Sequence, residues 1–260
     1  MDGIWLIVTA LIAFGVTAVS GIWLVPYLRR LKYGQTILDI GPKWHKNKQG
    51  TPTMGGLMFI MGILVAVAVG YITAVVSQDW VSHPEYVGAG ERVFYGMVMA
   101  LLFGALGFLD DYIKVARKRN MGLTAKQKLF FQIAIAVIYL AGLWSAGVSS
   151  TVVIVPFLGQ IDLGLLYYPL AAVVIVGAVN AVNLTDGIDG LAASVTFVAA
   201  VAFMVIASLL RLWEMNIVAT ALAAGCVGFL VWNFYPAKVF MGDTGSLFLG
   251  GVICALAFGT

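Results

Sequence analysis

Residues 101–120, LLFGALGFLDDYIKVARKRN, contain the feature that decides the fold: an apolar run that passes directly into two adjacent aspartates and a basic cluster. The run begins at Val93 and ends at Leu109, so it has the length of a membrane-spanning helix. Asp110 and Asp111 follow, and we expect the helix to end there. Adjacent carboxylates repel one another, and at a helix C-terminus they also face the negative end of the helix dipole. A nearby cation is therefore expected to make this arrangement favourable.

The composition of the chain excludes a soluble globular protein. Of its 260 residues, 62% are hydrophobic and 10% are charged, and the mean hydropathy is +0.99, whereas soluble domains are about half apolar and a quarter charged. The apolar runs are long and unbroken, which favours helices over the short alternating strands of a membrane β-barrel. We therefore predict an all-α polytopic membrane protein, with one integral membrane domain over residues 1–260. Cys226 and Cys254 lie in apolar runs and are expected to be small buried core residues.

Eight segments have the apolar length of a transmembrane helix. They are residues 3–25, 54–76, 93–109, 129–147, 164–182, 190–210, 217–235 and 245–260. All but two of the 15 Lys and Arg residues lie in loops 26–53, 110–128 and 236–244, and the exceptions, Arg92 and Arg211, are at span edges. Because positively charged loops stay in the cytoplasm, these three loops are predicted to be cytoplasmic and the N-terminus extracytoplasmic.

One loop on the opposite side has a different composition from the others. Residues 148–163, GVSSTVVIVPFLGQID, are rich in β-branched residues and contain the turn residues Pro156 and Gly159. This pattern predicts a small extracytoplasmic β-hairpin near residues 151–162.

Five aspartates from three turns fall at the predicted cytoplasmic ends of the spans. They are Asp110, Asp111, Asp186, Asp189 and Asp243. Carboxylates gathered at one membrane face suit a hard cation such as Mg²⁺, which uses one or two of them together with phosphate oxygens and water. Lys114 follows Asp111 closely enough to reach a phosphate held there. The residues indicate a Mg²⁺-assisted phosphoryl-transfer site at the membrane boundary, with one lipid substrate and one cytosolic substrate.

Structural explanations for the same residues stay open at this point. Asp189 and Asp243 begin predicted helices, where an acid caps free N–H groups, and Asp186 lies in a Thr-Asp-Gly turn. Asn180 and Asn233 are polar within spans, which suits a helix–helix hydrogen bond as well as a functional site. Lys114 also fits a simple topology signal, and the Gly-rich segment 48–56 fits a flexible loop as well as a phosphate-binding one.

Four stretches together resemble a known superfamily: KQGTPTMGG (48–56), LDDYIK (109–114), NAVNLTDGIDGLA (180–192) and NFYPAKVFMGDTGS (233–246). They are similar to the polyprenyl-phosphate N-acetylhexosamine-1-phosphate transferases. The first stretch favours the phospho-N-acetylmuramoyl-pentapeptide transferase branch. The resemblance covers almost the whole chain, with the motifs in the same order.

The resemblance implies a reaction and its setting. Phospho-MurNAc-pentapeptide is transferred from UDP-MurNAc-pentapeptide to undecaprenyl phosphate, which yields lipid I and UMP, with Mg²⁺ as cofactor. This is the first membrane step of peptidoglycan synthesis in the cell wall. The implied location is the bacterial cytoplasmic (inner) membrane, with the active site on the cytoplasmic face. The resemblance also implies a homodimer, and we expect no nucleic-acid partner.

The resemblance assigns catalytic roles residue by residue. Asp243 matches the metal-binding aspartate, and Asp111 lies beside the metal. Asp110 matches the aspartate proposed to deprotonate or orient the lipid phosphate, with a covalent phospho-aspartate as the open alternative. Asp186 matches a position near the nucleotide and the metal, and Lys114 a basic position near the phosphates.

The remaining assignments concern substrate binding. Lys48 and Lys126 match further basic positions near the phosphates. Asp189 matches the turn near the nucleotide, and Asn180 and Asn183 match the polar pair of the third motif. Asn233 and Phe240 match positions that line the uridine pocket.

The chain departs from the family pattern at its end. Family members continue through two more spans, ten in all, with a His-rich cytoplasmic loop between the last two. This sequence stops at Thr260 after a short eighth span, so we expect a C-terminally truncated chain. Its two histidines, His45 and His83, are expected to be ordinary surface residues.

Two other functions remain as alternatives. One is a related transferase that uses UDP-GlcNAc or another UDP-HexNAc donor and the same type of lipid acceptor. The other is a secondary transporter, which also carries acids and broken helices in the membrane. Transporter ion sites lie near the middle of the bilayer, whereas the acids of this chain gather at one face, which favours the enzyme.

Overall fold

The computed structural model of the chain describes residues 3–31, 50–77, 89–117, 121–155 and 157–260. In these ranges the chain forms eight long helices and one small sheet. The helices are α1 (Ile4–Arg30), α2 (Gly56–Ser77), α3 (Ala89–Ala116), α4 (Ala125–Ser145), α5 (Tyr167–Thr185), α6 (Leu191–Leu209), α7 (Trp213–Asn233) and α8 (Gly242–Gly259). All eight are long and apolar enough to cross a membrane. The prediction of an all-α multi-pass membrane protein is confirmed.

The predicted hairpin is also present. Strand β1 (Val152–Val155) pairs antiparallel with strand β2 (Gly159–Asp162). Gly159 has a φ of +85°, a left-handed conformation that glycine adopts without steric cost. A short 3-10 turn, Gly164–Leu166, then leads into α5.

The centre of the bundle is formed by α7 and α8. In their most apolar windows 72% of the residues are buried, against 22% in α1 and α5, whose side chains largely face outward. Helix α8 contacts α2, α3, α5, α6 and α7, and its contact with α3 is the most extensive in the molecule. Small residues allow these close approaches: a Cβ on Gly251 would lie 2.7 Å from the Cα of Ala100 on α3. Both cysteines are buried and free, as predicted.

Helix α3 does not end at its two acids, and the expectation that it does is wrong. It continues for more than a turn beyond them, to Ala116, and carries Lys114 in its last turn. Asp110 and Asp111 therefore lie inside the helix, and repulsion from the negative end of the helix dipole is not the main unfavourable interaction of their carboxylates. Their charges are stabilised by groups on other elements and by Lys114 of the same helix.

Four helices, α3, α4, α7 and α8, begin three or four residues earlier than the hydropathy predicts, and each shift brings at least one charged residue onto a helix. A capping box starts α4: the Thr124 hydroxyl accepts a hydrogen bond from the Gln127 N–H, and the Gln127 side chain accepts one from the Thr124 N–H. Helix α7 begins at Trp213 and includes Glu214, which is 2% exposed and 3.5 Å from the guanidinium of Arg92. The interior of the bundle thus contains an acid that the span prediction left outside.

Candidate active site

Three carboxylates meet where α3 crosses the start of α8. One oxygen from each of Asp110, Asp111 and Asp243 lies within 4.8 Å of the others. Asp110 and Asp111 are each only 3% exposed. The crossing is close because Gly107 of α3 packs against the backbone of Asp243, where any Cβ would overlap the carbonyl group. The convergence of these three acids, predicted from the sequence, is present in the structure.

Asp111 holds the N-terminus of α8. Its Oδ2 accepts hydrogen bonds from the backbone N–H of Thr244, at 2.9 Å, and from the Thr244 hydroxyl, at 2.7 Å. Thr244 lies in the first turn of α8, where N–H groups lack partners within the helix and the dipole is positive. Asp111 of α3 therefore caps the N-terminus of α8, and this contact stabilises the buried charge of the Asp111 carboxylate.

Asp110 is fixed by the chain that follows α3. Its Oδ1 accepts a hydrogen bond of 2.7 Å from the backbone N–H of Leu123, and its Oδ2 lies 2.6 Å from Nζ of Lys114. Gly122 lies against the same carboxylate: a Cβ at that position would be 2.6 Å from Cγ of Asp110. Gly122 and Leu123, just before α4, are therefore packed against this acid.

The Asp243 carboxylate is held by three other helices. Its Oδ2 lies 3.0 Å from Nζ of Lys114 on α3 and 3.0 Å from Nζ of Lys128 on α4. Its Oδ1 accepts a hydrogen bond of 2.9 Å from Nδ2 of Asn183 on α5. The same nitrogen lies 2.7 Å from Oγ of Ser246, one turn further along α8. Asp243 is in the first turn of α8, as its predicted position at a helix start requires.

The other two acids lie in the turn between α5 and α6. Burial, and then the charges of Asp243 and Asp111, raise the pKa of Asp186 to about 8. Within the described part of the chain, no hydrogen bond is formed by the Asp186 carboxylate. Asp189 has a different place: its Oδ2 accepts a hydrogen bond of 3.0 Å from the backbone N–H of Ala237. This contact joins the turn to the loop between α7 and α8.

Asn233 joins the same two segments from inside. It is 2% exposed. Its Oδ1 accepts a hydrogen bond from the N–H of Gly190, at 3.0 Å, and its Nδ2 donates to the carbonyl of Val239, at 2.9 Å. Both polar atoms of this predicted uridine-pocket residue are thus used within the protein.

Phe240 is half-buried at the end of the same loop. Its N–H donates to the carbonyl of Pro52 and its carbonyl accepts from the N–H of Gly55, each at 2.8 Å. These bonds fix the described part of the Gly-rich segment 48–56 beside the start of α8. Lys48 itself lies outside the described residues, as do His45 and His83.

Two predicted binding residues do not contact the acids. Asn180 forms a helix–helix hydrogen bond with Gln132 of α4, which is the structural alternative that the sequence left open. Lys126 is exposed on the far side of α4 and forms no ion pair within the described residues.

Lys128 and Thr244 are residues of the site that sequence reasoning missed, and for Lys128 the sequence offered a signal. The signal is the face of α4 on which Lys128 lies. Gln132, Ile135, Ala136 and Tyr139 on this face are all buried, and Lys128, four residues before Gln132, points in the same direction into the bundle. Lys126 is two residues away from Lys128, about 200° around the helix, and therefore points in the opposite direction.

The site has the donor set of a hard-cation site. Three carboxylates and two lysines leave an excess of negative charge in a largely buried space, and carboxylate oxygens are the ligands that such ions prefer. The acids could thus hold a metal ion. Lys114 and Lys128, which contact the Asp110 and Asp243 carboxylates, can also donate hydrogen bonds to an anionic group that binds beside the acids.

The family relationship follows from comparison with known proteins. The sequence model of glycosyl transferase family 4 matches residues 93–260. The phospho-N-acetylmuramoyl-pentapeptide-transferase signature 1 matches residues 48–60.

Curated relatives agree with both matches. The phospho-N-acetylmuramoyl-pentapeptide-transferase of Halalkalibacterium halodurans is 46% identical over 97% of this chain and 74% of its own length. The enzyme of the same name from Heliobacterium modesticaldum is 47% identical over 95% of this chain and 72% of its own length. The enzyme of that name from Clostridioides difficile is 42% identical over 96% of this chain and 73% of its own length.

The chain therefore belongs to glycosyl transferase family 4. Within that family its place is among the phospho-N-acetylmuramoyl-pentapeptide-transferases, as the four sequence stretches predicted.

Proposed function

We propose that the chain transfers phospho-MurNAc-pentapeptide from UDP-MurNAc-pentapeptide to undecaprenyl phosphate, with release of UMP and formation of lipid I. One observation carries the chemistry: the partly buried Asp243 carboxylate lies between Lys114 and Lys128, beside Asp110 and Asp111. A site with both acids and lysines can accept two phosphate groups at once, one from each substrate.

We further propose Mg²⁺ as the cofactor. Asp243 and Asp111 would hold it through the carboxylate oxygens that face the centre of the cluster, which fits the preference of Mg²⁺ for one or two carboxylates. When bound, it supplies charge neutralisation for the diphosphate and for the leaving UMP.

The lysines serve the same electrostatic purpose from the protein side. Both reacting groups are anions, so the protein must reduce their repulsion. Lys114 and Lys128 donate to the diphosphate oxygens, while Asp110 orients the lipid phosphate and accepts its proton if one is present. A lipid phosphate oxygen then forms a bond to the sugar-linked phosphorus. The bond from that phosphorus to the bridging oxygen breaks, and UMP leaves with the electron pair.

The turn between α5 and α6 and the loop before α8 form the proposed nucleotide side of the site. Asp186 and Asp189 lie on the turn, and Phe240 on the loop. Asn233 and Asp189 hold turn and loop together, so the surface for the uridine is built before the substrate arrives. The predicted role of Lys48 near the phosphates remains part of the proposal, whereas Lys126, which is exposed on the opposite side of α4 from Lys128, is given no role in it.

The membrane setting is proposed from the distribution of charge. The acid cluster faces the cytoplasm of a bacterial inner membrane, because the lysine-rich and arginine-rich loops lie at the same end of the spans. There the water-soluble nucleotide and the lipid phosphate can meet at the bilayer boundary. A homodimer is the proposed assembly.

The direct test is UMP release by the purified chain in detergent with UDP-MurNAc-pentapeptide, undecaprenyl phosphate and Mg²⁺. We expect release that is abolished by EDTA and by Asp243→Asn, which keeps the size of the side chain but removes its charge. UDP-GlcNAc as sole donor tests the related transferases, and release with that donor alone would contradict the proposal. Uptake of the nucleotide into vesicles without UMP release would indicate a transporter.

A further inference from the structure

Helices α4 and α5 are joined within the membrane by a reciprocal pair of amides. Nδ2 of Asn180 donates to Oε1 of Gln132 at 2.8 Å, and Nε2 of Gln132 donates to Oδ1 of Asn180 at 3.3 Å. Gln132 is only 1% exposed. Neither residue touches the acids.

The pair has little capacity left for a ligand. The second N–H of Asn180 donates to the carbonyl of Val176, at 2.8 Å, on the same helix. Both donors of this amide are therefore used. In a low-dielectric interior an unpaired amide is costly, so the two side chains favour the one helix position that satisfies both.

The position of the pair relates it to the active site. On α4, Lys128 lies one turn before Gln132, and on α5, Asn183 lies one turn after Asn180; residues four or three apart share a helix face. Lys128 contacts Oδ2 of Asp243 and Asn183 contacts Oδ1 of the same carboxylate. One turn from the amide pair, the two helices thus hold the two oxygens of one functional group.

We propose that the Gln132–Asn180 pair is a register lock: it fixes α4 against α5 so that Lys128 and Asn183 both reach Asp243. The two amides are positioning residues, and their effect on catalysis passes through Lys128 and Asn183. The activity readout of this inference rests on the proposed transferase function.

The need for a directional contact follows from the rest of the helix interface. Around the pair, α4 and α5 present apolar side chains to a common core, among them Ile135, Tyr139, Ile175 and Val179. Apolar contacts are non-directional and tolerate small shifts along a helix. Paired amides do not, because their hydrogen bonds weaken steeply with distance and angle.

Four variants separate positioning from packing. Gln132→Leu and Asn180→Leu each leave the remaining amide without its hydrogen-bond partner on the other helix, whereas the double Leu variant removes both amides together. The exchange Gln132→Asn with Asn180→Gln keeps two amides and the total reach of the two side chains. Replacing both hydrogen-bonding partners by apolar groups of similar shape is nearly neutral for stability, so we expect the double Leu variant to keep the wild-type Tm.

Its activity is expected to differ. Misplacement of catalytic groups by a fraction of an ångström to an ångström costs roughly 10- to 100-fold, so the double Leu variant should lose kcat by about that factor, with a smaller change in KM. The exchanged pair should recover kcat to within about fivefold of the wild type. A double Leu variant with wild-type kcat, or an exchanged pair no better than the double Leu variant, would overturn the register lock.

A second measurement does not depend on the reaction. Spin labels at the exposed positions Phe130 on α4 and Leu184 on α5 report the distance between the helices. We expect one narrow distance distribution with the native pair and a broadened or displaced one with the double Leu variant. Identical distance distributions in the two proteins would refute the register lock, whether or not the wild-type chain releases UMP. A wild-type chain that releases no UMP would count against the proposed function and not against the register lock.

Discussion

Two lysines on one helix turn give the sharpest test of the site. Lys128→Met removes one of the two cationic donors to Oδ2 of Asp243, whereas Lys126→Met makes the same chemical change on the exposed side of α4. Both positions lie in the first turns of α4, after the same capping box, so both variants should have similar effects on the helix itself.

The expected size of the effect follows from the bond that is lost. A hydrogen bond to a charged group is worth about 1.5–3 kcal/mol, and each 1.36 kcal/mol of transition-state stabilisation is tenfold in rate. Lys128→Met should therefore reduce kcat/KM by about 10- to 150-fold. Lys114 remains on the same oxygen, at 3.0 Å, so some activity should survive.

The assay is Mg²⁺-dependent UMP release, with initial rates over a range of UDP-MurNAc-pentapeptide concentrations. Lys126→Met should stay within about twofold of the wild type, as surface substitutions generally do. Equal losses in the two variants, or a loss only in Lys126→Met, would mean that the functional face of α4 has been assigned to the wrong lysine.

Three further predictions concern the surroundings of the acids. Because the pKa of Asp186 in the folded protein is about 8, well above that of an unfolded carboxyl, the folded state binds a proton that the unfolded state releases. The free energy of unfolding of the metal-free protein should fall as the pH rises from about 4 to about 8, and thermal unfolding of Asp186→Asn should lack this part of the pH dependence. Gly122→Ala places a Cβ against the Asp110 carboxylate and should cost at least about tenfold in kcat, while Gly15→Ala, where a Cβ meets no atom within 4 Å, should be neutral in the same assay. Asn233→Ala leaves the N–H of Gly190 and the carbonyl of Val239 without their partner and should destabilise the protein by about 1–3 kcal/mol for each group, with an unchanged unfolding transition as the contradicting result.

The number and approximate positions of the membrane helices could be predicted from the sequence because they depend on hydropathy averaged over many residues. A membrane helix needs a long apolar run, and the sum over many residues makes the identification secure. Each of the eight predicted spans overlaps one long helix of the structure. The hairpin was predictable for a related reason: β-branched residues and a glycine turn act locally, between Val152 and Asp162.

Helix ends were less predictable because hydropathy does not report them. Helix α3 passes through Asp110 and Asp111 to Ala116, since the backbone continues its own hydrogen bonds regardless of side-chain polarity. In α4 the start is set by the capping box of Thr124 and Gln127, a local signal that lies outside the apolar run. Polar residues at a membrane boundary are compatible both with a helix that ends there and with one that continues beyond it.

The sequence indicated the acids of the site and two of their partners, Lys114 and Asn183, but it did not indicate Thr244 or Lys128. Acids at one membrane face are rare enough to draw attention, so the meeting of Asp110, Asp111 and Asp243 could be expected. The role of Thr244 as a donor to Asp111 depends on how α3 and α8 cross, which sequence separation alone does not give. The choice of Lys128 over Lys126 depends on the rotation of α4, which only the buried residues further along the helix define.

The contact between Asp111 and Thr244 also has a consequence for the biosynthesis of the protein. The two residues are 133 positions apart, so α3 emerges from the ribosome and enters the membrane long before its partner helix has been made. Throughout that interval Asp111 lacks the backbone N–H and the hydroxyl of Thr244 that later donate to it. Lys114, one turn away on the same helix and within 2.6 Å of Asp110 and 3.8 Å of Asp111 in the finished protein, is the only basic residue on α3 beyond the pair. Lys114, which we propose donates to the substrate phosphates, can thus first act as a counter-ion for the acids while α3 is inserted into the membrane.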